Sequence, residues 1–137
     1  MPRLTCPYDP DVGPVISVTV SDPVGYRSDD DSPKSEKVIM LLDSGASDSS
    51  ISEAVAARLS LPVLGLHRVS GFGASADTYQ YLADLELWLD VGHELSDRKL
   101  LQFSSDHNRI QGILGRDILG LAKFYLDGPN REFTIEF

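Results

Sequence analysis

The sequence predicts an all-β protein, a barrel or sandwich closed on itself with one or two short helices. Three observations predict it. Between Tyr79 and Val91, the residues Tyr79, Tyr81, Ala83, Leu85, Leu87, Leu89 and Val91 alternate with a mostly polar set, the period of a strand with one face in a core. Short apolar or β-branched runs recur elsewhere between clusters of Gly, Pro, Asp and Ser. Clear helical spacing with a capping signal occurs over one short stretch, beginning at Ser50.

In chain order, Val15 to Val20 (VISVTV) is short and β-branched, hence a strand. The polar stretch SDPVGYRSDDDSPKSEK that follows has two prolines and three consecutive aspartates, and predicts a mobile surface loop that includes the acidic segment Ser28 to Lys37. Val38 to Leu42 (VIMLL) is wholly apolar, the mark of a strand buried on both faces. Ser50 and Glu53 have capping-box spacing, and Ile51, Ala54, Val55 and Leu59 recur at helical intervals, so a helix runs to about Leu59 and ends at Leu61-Pro62.

Val69 to Asp77 (VSGFGASAD) is glycine-rich between extended flanks and reads as a flexible hairpin leading into the long strand. Trp88 and the tyrosines of that strand belong to a core. Lys99 to Ser104 is a further strand candidate. Ile110 to Leu121 (IQGILGRDILGL) suggests a tight turn entering a short helix. The terminal FYLDGPNREFTIEF forms two strands around Asp127-Gly128-Pro129-Asn130.

A chain of 137 residues fits one domain, divided here into an N-terminal extension, 1–14, and a folded domain, 15–137. The net charge of -9 repels phosphate backbones and anionic headgroups, which argues against nucleic acid and membrane partners. No apolar run approaches the length of a membrane span. A single cysteine, Cys6, leaves no intrachain disulfide, which fits a reducing, cytoplasmic location, either as a free chain or as a fragment of a longer protein. His67, His93 and His107 show no ligand spacing, so no metal or cofactor is expected.

Asp43 draws attention because it ends an apolar strand, where burying an unpaired carboxylate costs roughly several kcal/mol or raises its pKa. Ser44 can hydrogen-bond a neighbouring carboxylate, Gly45 allows close backbone approach, and Ala46 and Ser47 are too small to obstruct a substrate. Ser44, Ser47, Ser49 and Ser50 lie nearby, but no histidine or other base is local enough to make one of them a nucleophile. Taken alone, Asp43-Ser44-Gly45 is far more readily a strand-terminating turn than a site, since such tripeptides fill loops everywhere.

The ordered set LLDSGAS (Leu41 to Ser47), VSGFGAS (Val69 to Ser75) and ILGRDIL (Ile113 to Leu119) resembles the retropepsin-like aspartic proteases of retroviruses, retrotransposons and bacteria. The resemblance covers Val15 to the C-terminus. It implies a closed acid-protease barrel and an aspartic endopeptidase, a homodimer in which each subunit gives one catalytic Asp43 and no cofactor is used. By the same resemblance, Ser44, Gly45 and Ala46 support the active-site turn, and Val69, Gly71, Phe72 and Gly73 form a flap over a bound peptide. Ile113, Leu114 and Gly115 pack behind the turn, and Arg116 and Asp117 make ion pairs that brace the dimer.

Retroviral members carry an Asp in place of Ser47 that pairs with the equivalent of Arg116. Its absence leaves Asp48 or Asp117 as the partner of Arg116. The terminal strand with Phe133, Ile135 and Phe137 resembles one that retroviral members interleave between subunits, or it pairs within its own subunit. Few Lys or Arg flank Asp43 in sequence, so extended, largely hydrophobic peptides are the expected substrates. A non-catalytic peptide-binding or dimerisation module on the same fold is the competing reading.

Overall fold

The computed structural model describes residues 1–27, 32–71, 74–104 and 109–137. Six strands close on themselves: β2 (Val15–Ser21), β3 (Ser35–Leu42), β8 (Gly112–Leu114), β4 (Ser50–Ser52), β7 (Gly92–Phe103) and β6 (Ala74–Trp88), with β6 returning to pair with β2. The predicted closed all-β fold is therefore observed. Two helices, α1 (Glu53–Arg58) and α2 (Arg116–Leu119), are both short.

Alternation drives closure. Val18, Val20, Val38, Met40, Ala83, Leu85 and Leu87 point inward and are essentially buried. On β3 only this inward set is fully buried. Ile39 and Leu41, on the opposite face of the strand, are half-covered; Leu41 lies against the turn at Gly13. VIMLL is thus buried on one face and partly covered on the other.

The long strand β6 is shared three ways. Its second half pairs with β2 on one edge and β7 on the other, while Ala74–Tyr81 pairs with β5 (Val63–Gly71). Because β7 joins only from Gln80 onward, β5 and the first turns of β6 form a two-stranded arm that projects beyond the barrel. Val63, Leu66, Val69 and Tyr79 on this arm are exposed apolar residues. The predicted hairpin is present, with Gly71 opposite Ala74; Phe72 and Gly73 fall outside the described residues, as do 28–31 of the acidic loop and His107.

Three local expectations change. Ser50 does not cap a helix. It is buried in β4, paired with Leu101 and Ile113, and the ladder bonds so gained outweigh a local cap. Glu53 instead accepts a hydrogen bond from Gln102 Nε2 (3.0 Å). Gly112-Ile113-Leu114 is not a turn but a strand, parallel to β3 and antiparallel to β4. A Cβ on Gly112 would sit 2.5 Å from the Ser50 carbonyl oxygen and 2.8 Å from Met40 Cε, so the glycine there serves close packing between strands. Finally, β7 begins at Gly92, well before Lys99, because its polar first half needs only one covered face. Trp88, expected in the core, is 42% exposed, with its indole N–H donated to Thr19 Oγ1 and Lys37 Nζ over its ring.

The remaining strands form a separate three-stranded sheet, β1 (Arg3–Pro7), β10 (Glu132–Glu136) and β9 (Lys123–Asp127), with β10 in the centre. Phe133 and Ile135 of β10 are buried and join the main core. No helix among the described residues is long and apolar enough to cross a membrane.

Candidate active site

Asp43 stands where β3 leaves the barrel. Its backbone N–H donates to the Leu114 carbonyl (3.0 Å), which fixes the start of the turn against β8. The turn then tightens. Gly45 N–H donates to Asp43 Oδ1 (2.8 Å), and Ala46 N–H to the Asp43 carbonyl (3.2 Å). Asp43 is half-buried in the single chain, with one carboxylate oxygen held by the backbone. A Cβ on Gly45 would lie 3.1 Å from Asp43 Oδ1, tighter than ordinary contact, so any larger residue there would press on the carboxylate.

The second helix braces the turn from behind. Arg116 N–H donates to the Ala46 carbonyl (2.8 Å), and Arg116 Nη1 to the Ser44 carbonyl (2.7 Å). Among the described residues Arg116 has neither Asp48 nor Asp117 as an ion-pair partner; a backbone carbonyl replaces the carboxylate that Ser47 cannot supply. Asp117 has other work. Its carboxylate accepts from Ser49 N–H (3.1 Å), Ser49 Oγ (2.7 Å) and Ile118 N–H (2.9 Å), while Ser49 Oγ accepts from Gly115 N–H (2.9 Å).

Ser49 is thus the buried link between the turn and the second helix. Sequence reasoning passed over it, because within a run of serines nothing distinguishes the one whose hydroxyl both donates and accepts. Ser49→Ala strands the Gly115 N–H and removes one bond to Asp117. It should lower unfolding free energy by about 1–3 kcal/mol in urea denaturation. A loss indistinguishable from zero would show that the link does not brace the turn.

Gly115 completes the fit. A Cβ there would meet the Asp48 carbonyl oxygen at 2.7 Å and the Ala46 carbonyl oxygen at 2.9 Å, so the turn rests directly on bare backbone. Ile113 and Leu114 lie beside Leu41 and Leu42 in the β3–β8 ladder. The fold therefore brings Asp43, Ser44, Gly45 and Ala46 together with Ile113, Leu114, Gly115, Arg116 and Asp117. Val69 and Gly71 belong to the projecting arm, and no described contact joins them to the turn.

Basic residues lie nearer than the sequence suggests. A recess of about 300 Å³ is lined by Asp48 and Asp117 together with Arg98 and Lys99, which β7 brings in from far along the chain. Among the described residues no three His, Cys, Asp or Glu side chains are grouped to hold a metal ion.

Comparison with known proteins is consistent with this geometry. No curated protein matches the chain in sequence. A retropepsin-like aspartic protease from Rickettsia conorii superposes with a TM-score of 0.62 at 16% identity, over 97% of this chain and 89% of the other. The EIAV protease complexed with the inhibitor HBY-793 aligns at 20% identity and a TM-score of 0.49, over 84% of this chain and 92% of the other. The first of these likenesses shows the fold. In sequence, the profile described as aspartyl protease matches residues 30–118, from the approach to β3 through the turn, the arm and β8 into α2. With more than half of its length matched in this way on a retropepsin-like fold, the chain belongs to the aspartyl protease family.

Proposed function

We propose that this chain is an aspartic endopeptidase that hydrolyses peptide bonds in extended, largely hydrophobic segments, active as a homodimer with one Asp43 per subunit. The observation that carries the proposal is the Asp43 turn. It presents a backbone-held carboxylate at a strand end, braced by α2 and bordered by the small residues Ser44, Gly45 and Ala46.

One such carboxylate cannot complete the reaction. Amide hydrolysis needs one group to take a proton from water while another gives one to the carbonyl oxygen. Two Asp43 side chains across a two-fold axis supply both roles, because two carboxylates in contact cannot both ionise comfortably and share a single proton. The water attacks the carbonyl carbon, the tetrahedral intermediate collapses, and the departing amine takes up a proton from the pair.

The projecting arm supports a flap role. Its exposed Val69, with Gly71 and the adjoining Phe72-Gly73, would close over an extended peptide and exclude water. The recess lined by Asp48, Arg98, Lys99 and Asp117 would add charged contacts to a peptide bound near the turn.

The test is cleavage of a diverse peptide mixture by the purified chain between about pH 4 and 8, read by mass spectrometry at several protein concentrations. Activity per subunit that rises with concentration, with a bell-shaped pH profile, is the expected result. A folded, dimeric sample that makes no cuts would sink the proposal.

A further inference from the structure

Two cations beside the turn are unpaired. Arg98 and Lys99 line the same recess as Asp48, Asp97 and Asp117, yet among the described residues neither has an ion-pair partner. Two of the acids are engaged elsewhere. The Asp117 carboxylate is taken by Ser49 and the Ile118 N–H, and Asp48 Oδ2 accepts from the Ser47 hydroxyl (3.3 Å). Arg98 Nε is buried and has no hydrogen-bond partner among the described residues. A buried donor left unmet costs free energy, and an acceptor brought into the recess from outside would relieve that cost as the guanidinium turns to meet it.

The recess lies where a peptide has to pass. Lys99 and Leu101 share one face of β7, and Gln80, opposite Leu101 in the ladder, shares it with them. Gln80 is also the residue at which β6 leaves the arm, so one wall of the recess is the root of the arm. The other wall is Asp48 and Asp117, the residues that follow the Asp43 turn and begin α2. Buried Leu101 lies between them, against which the aliphatic stem of a side chain can rest. A chain held between arm and turn therefore runs past Arg98 and Lys99, at a distance from the small residues Ser44, Gly45 and Ala46 that border the cut.

We propose that Arg98 and Lys99 form a subsite for the carboxylate of an Asp or Glu side chain, so that the preferred peptides are hydrophobic around the cut bond and acidic further out. The guanidinium offers paired N–H donors to both carboxylate oxygens, and the exposed Lys99 ammonium adds a second charge. The inference rests on the peptidase reading of Asp43 and narrows its substrate. With two subunits about a two-fold axis, one recess serves each side of the cut, at the same distance from it.

Cleavage of a peptide library with blocked termini tests this, because only side-chain carboxylates are then on offer. At one position on each side of the cut, Asp or Glu should raise kcat/KM about tenfold or more over Asn or Gln, chiefly through KM, and high salt should shrink the difference. Lys99→Glu should turn the preference at that position toward Lys. Arg98→Met should flatten the preference without lowering stability in urea, since it removes an unmet donor and keeps the apolar stem. A less stable Arg98→Met variant would assign Arg98 to the fold instead.

Cuts without an acid preference, or a preference unchanged in Lys99→Glu, would overturn the subsite and leave the peptidase intact. A preference of the parent for basic residues would assign the recess to Asp48 and Asp97. If nothing is cut, fluorescence anisotropy of the same peptides, labelled, decides: tighter binding of the acidic peptide than of its amide would uphold the subsite and remove the peptidase reading, and no difference would overturn both.

Discussion

Asp43→Asn is expected to lower kcat/KM on any cleaved peptide by at least about 10³-fold while leaving the fold and the dimer in place. The asparagine keeps the shape of the side chain and an oxygen that can still accept the Gly45 N–H bond. What it loses is the ability to take up and return a proton, and in a homodimer both members of the pair lose it together. Circular dichroism and sedimentation of the variant should match the parent. Equal cleavage by variant and parent would mean that the acid at the end of β3 is structural and that the barrel serves as a binding module.

Gly115→Ala is expected to cost about 1–3 kcal/mol of stability and to reduce activity further than that loss of folded protein explains, by roughly 10²-fold. The added methyl group meets the backbone at Asp48 and Ala46, which cannot rotate away as a side chain would. Relief must come from moving the turn, and the turn carries Asp43. Thermal unfolding and kcat on the same sample separate the two effects. A variant that is less stable but fully active when folded would show that the turn tolerates displacement, and that the close packing serves stability alone.

The parts of this fold that were legible in the sequence are those where a local pattern and the tertiary environment agree. The alternation survives from Tyr81 to Leu87 as the inward face of β6, while Tyr79 and Val91 at its ends are exposed, and the Asp127-Gly128-Pro129-Asn130 turn joins β9 to β10 as read, with Asn130 bonded to Asp127. Failure came where long-range pairing overrode a local signal. Ser50 and Glu53 have every mark of a helix start, yet Ser50 gains more from two neighbouring strands. Gly112 looks like turn punctuation but is the one residue small enough to lie between Ser50 and Met40.

At the site the sequence pointed to the turn and to the segment behind it, because both are contiguous motifs. It could not reveal how they are joined. The bonds from Arg116 to Ser44 and from Ser49 to Gly115 and Asp117 span 66 to 72 residues, and no spacing rule reaches that far. The presence of Arg98 and Lys99 near Asp48 was hidden for the same reason.

That separation has a consequence for when the chain can act during its synthesis. The turn carrying Asp43 leaves the ribosome before the strand and helix that hold it, β8 and α2, which are made some seventy residues later. Loop closure over that distance is entropically costly and is not repaid until both ends are present. A nascent chain that ends before Gly112 therefore carries its acid on an unsupported loop, and the edge strand β9 emerges later still. Protein synthesis itself leaves the Asp43 carboxylate on an unheld turn until β8 and α2 have been made.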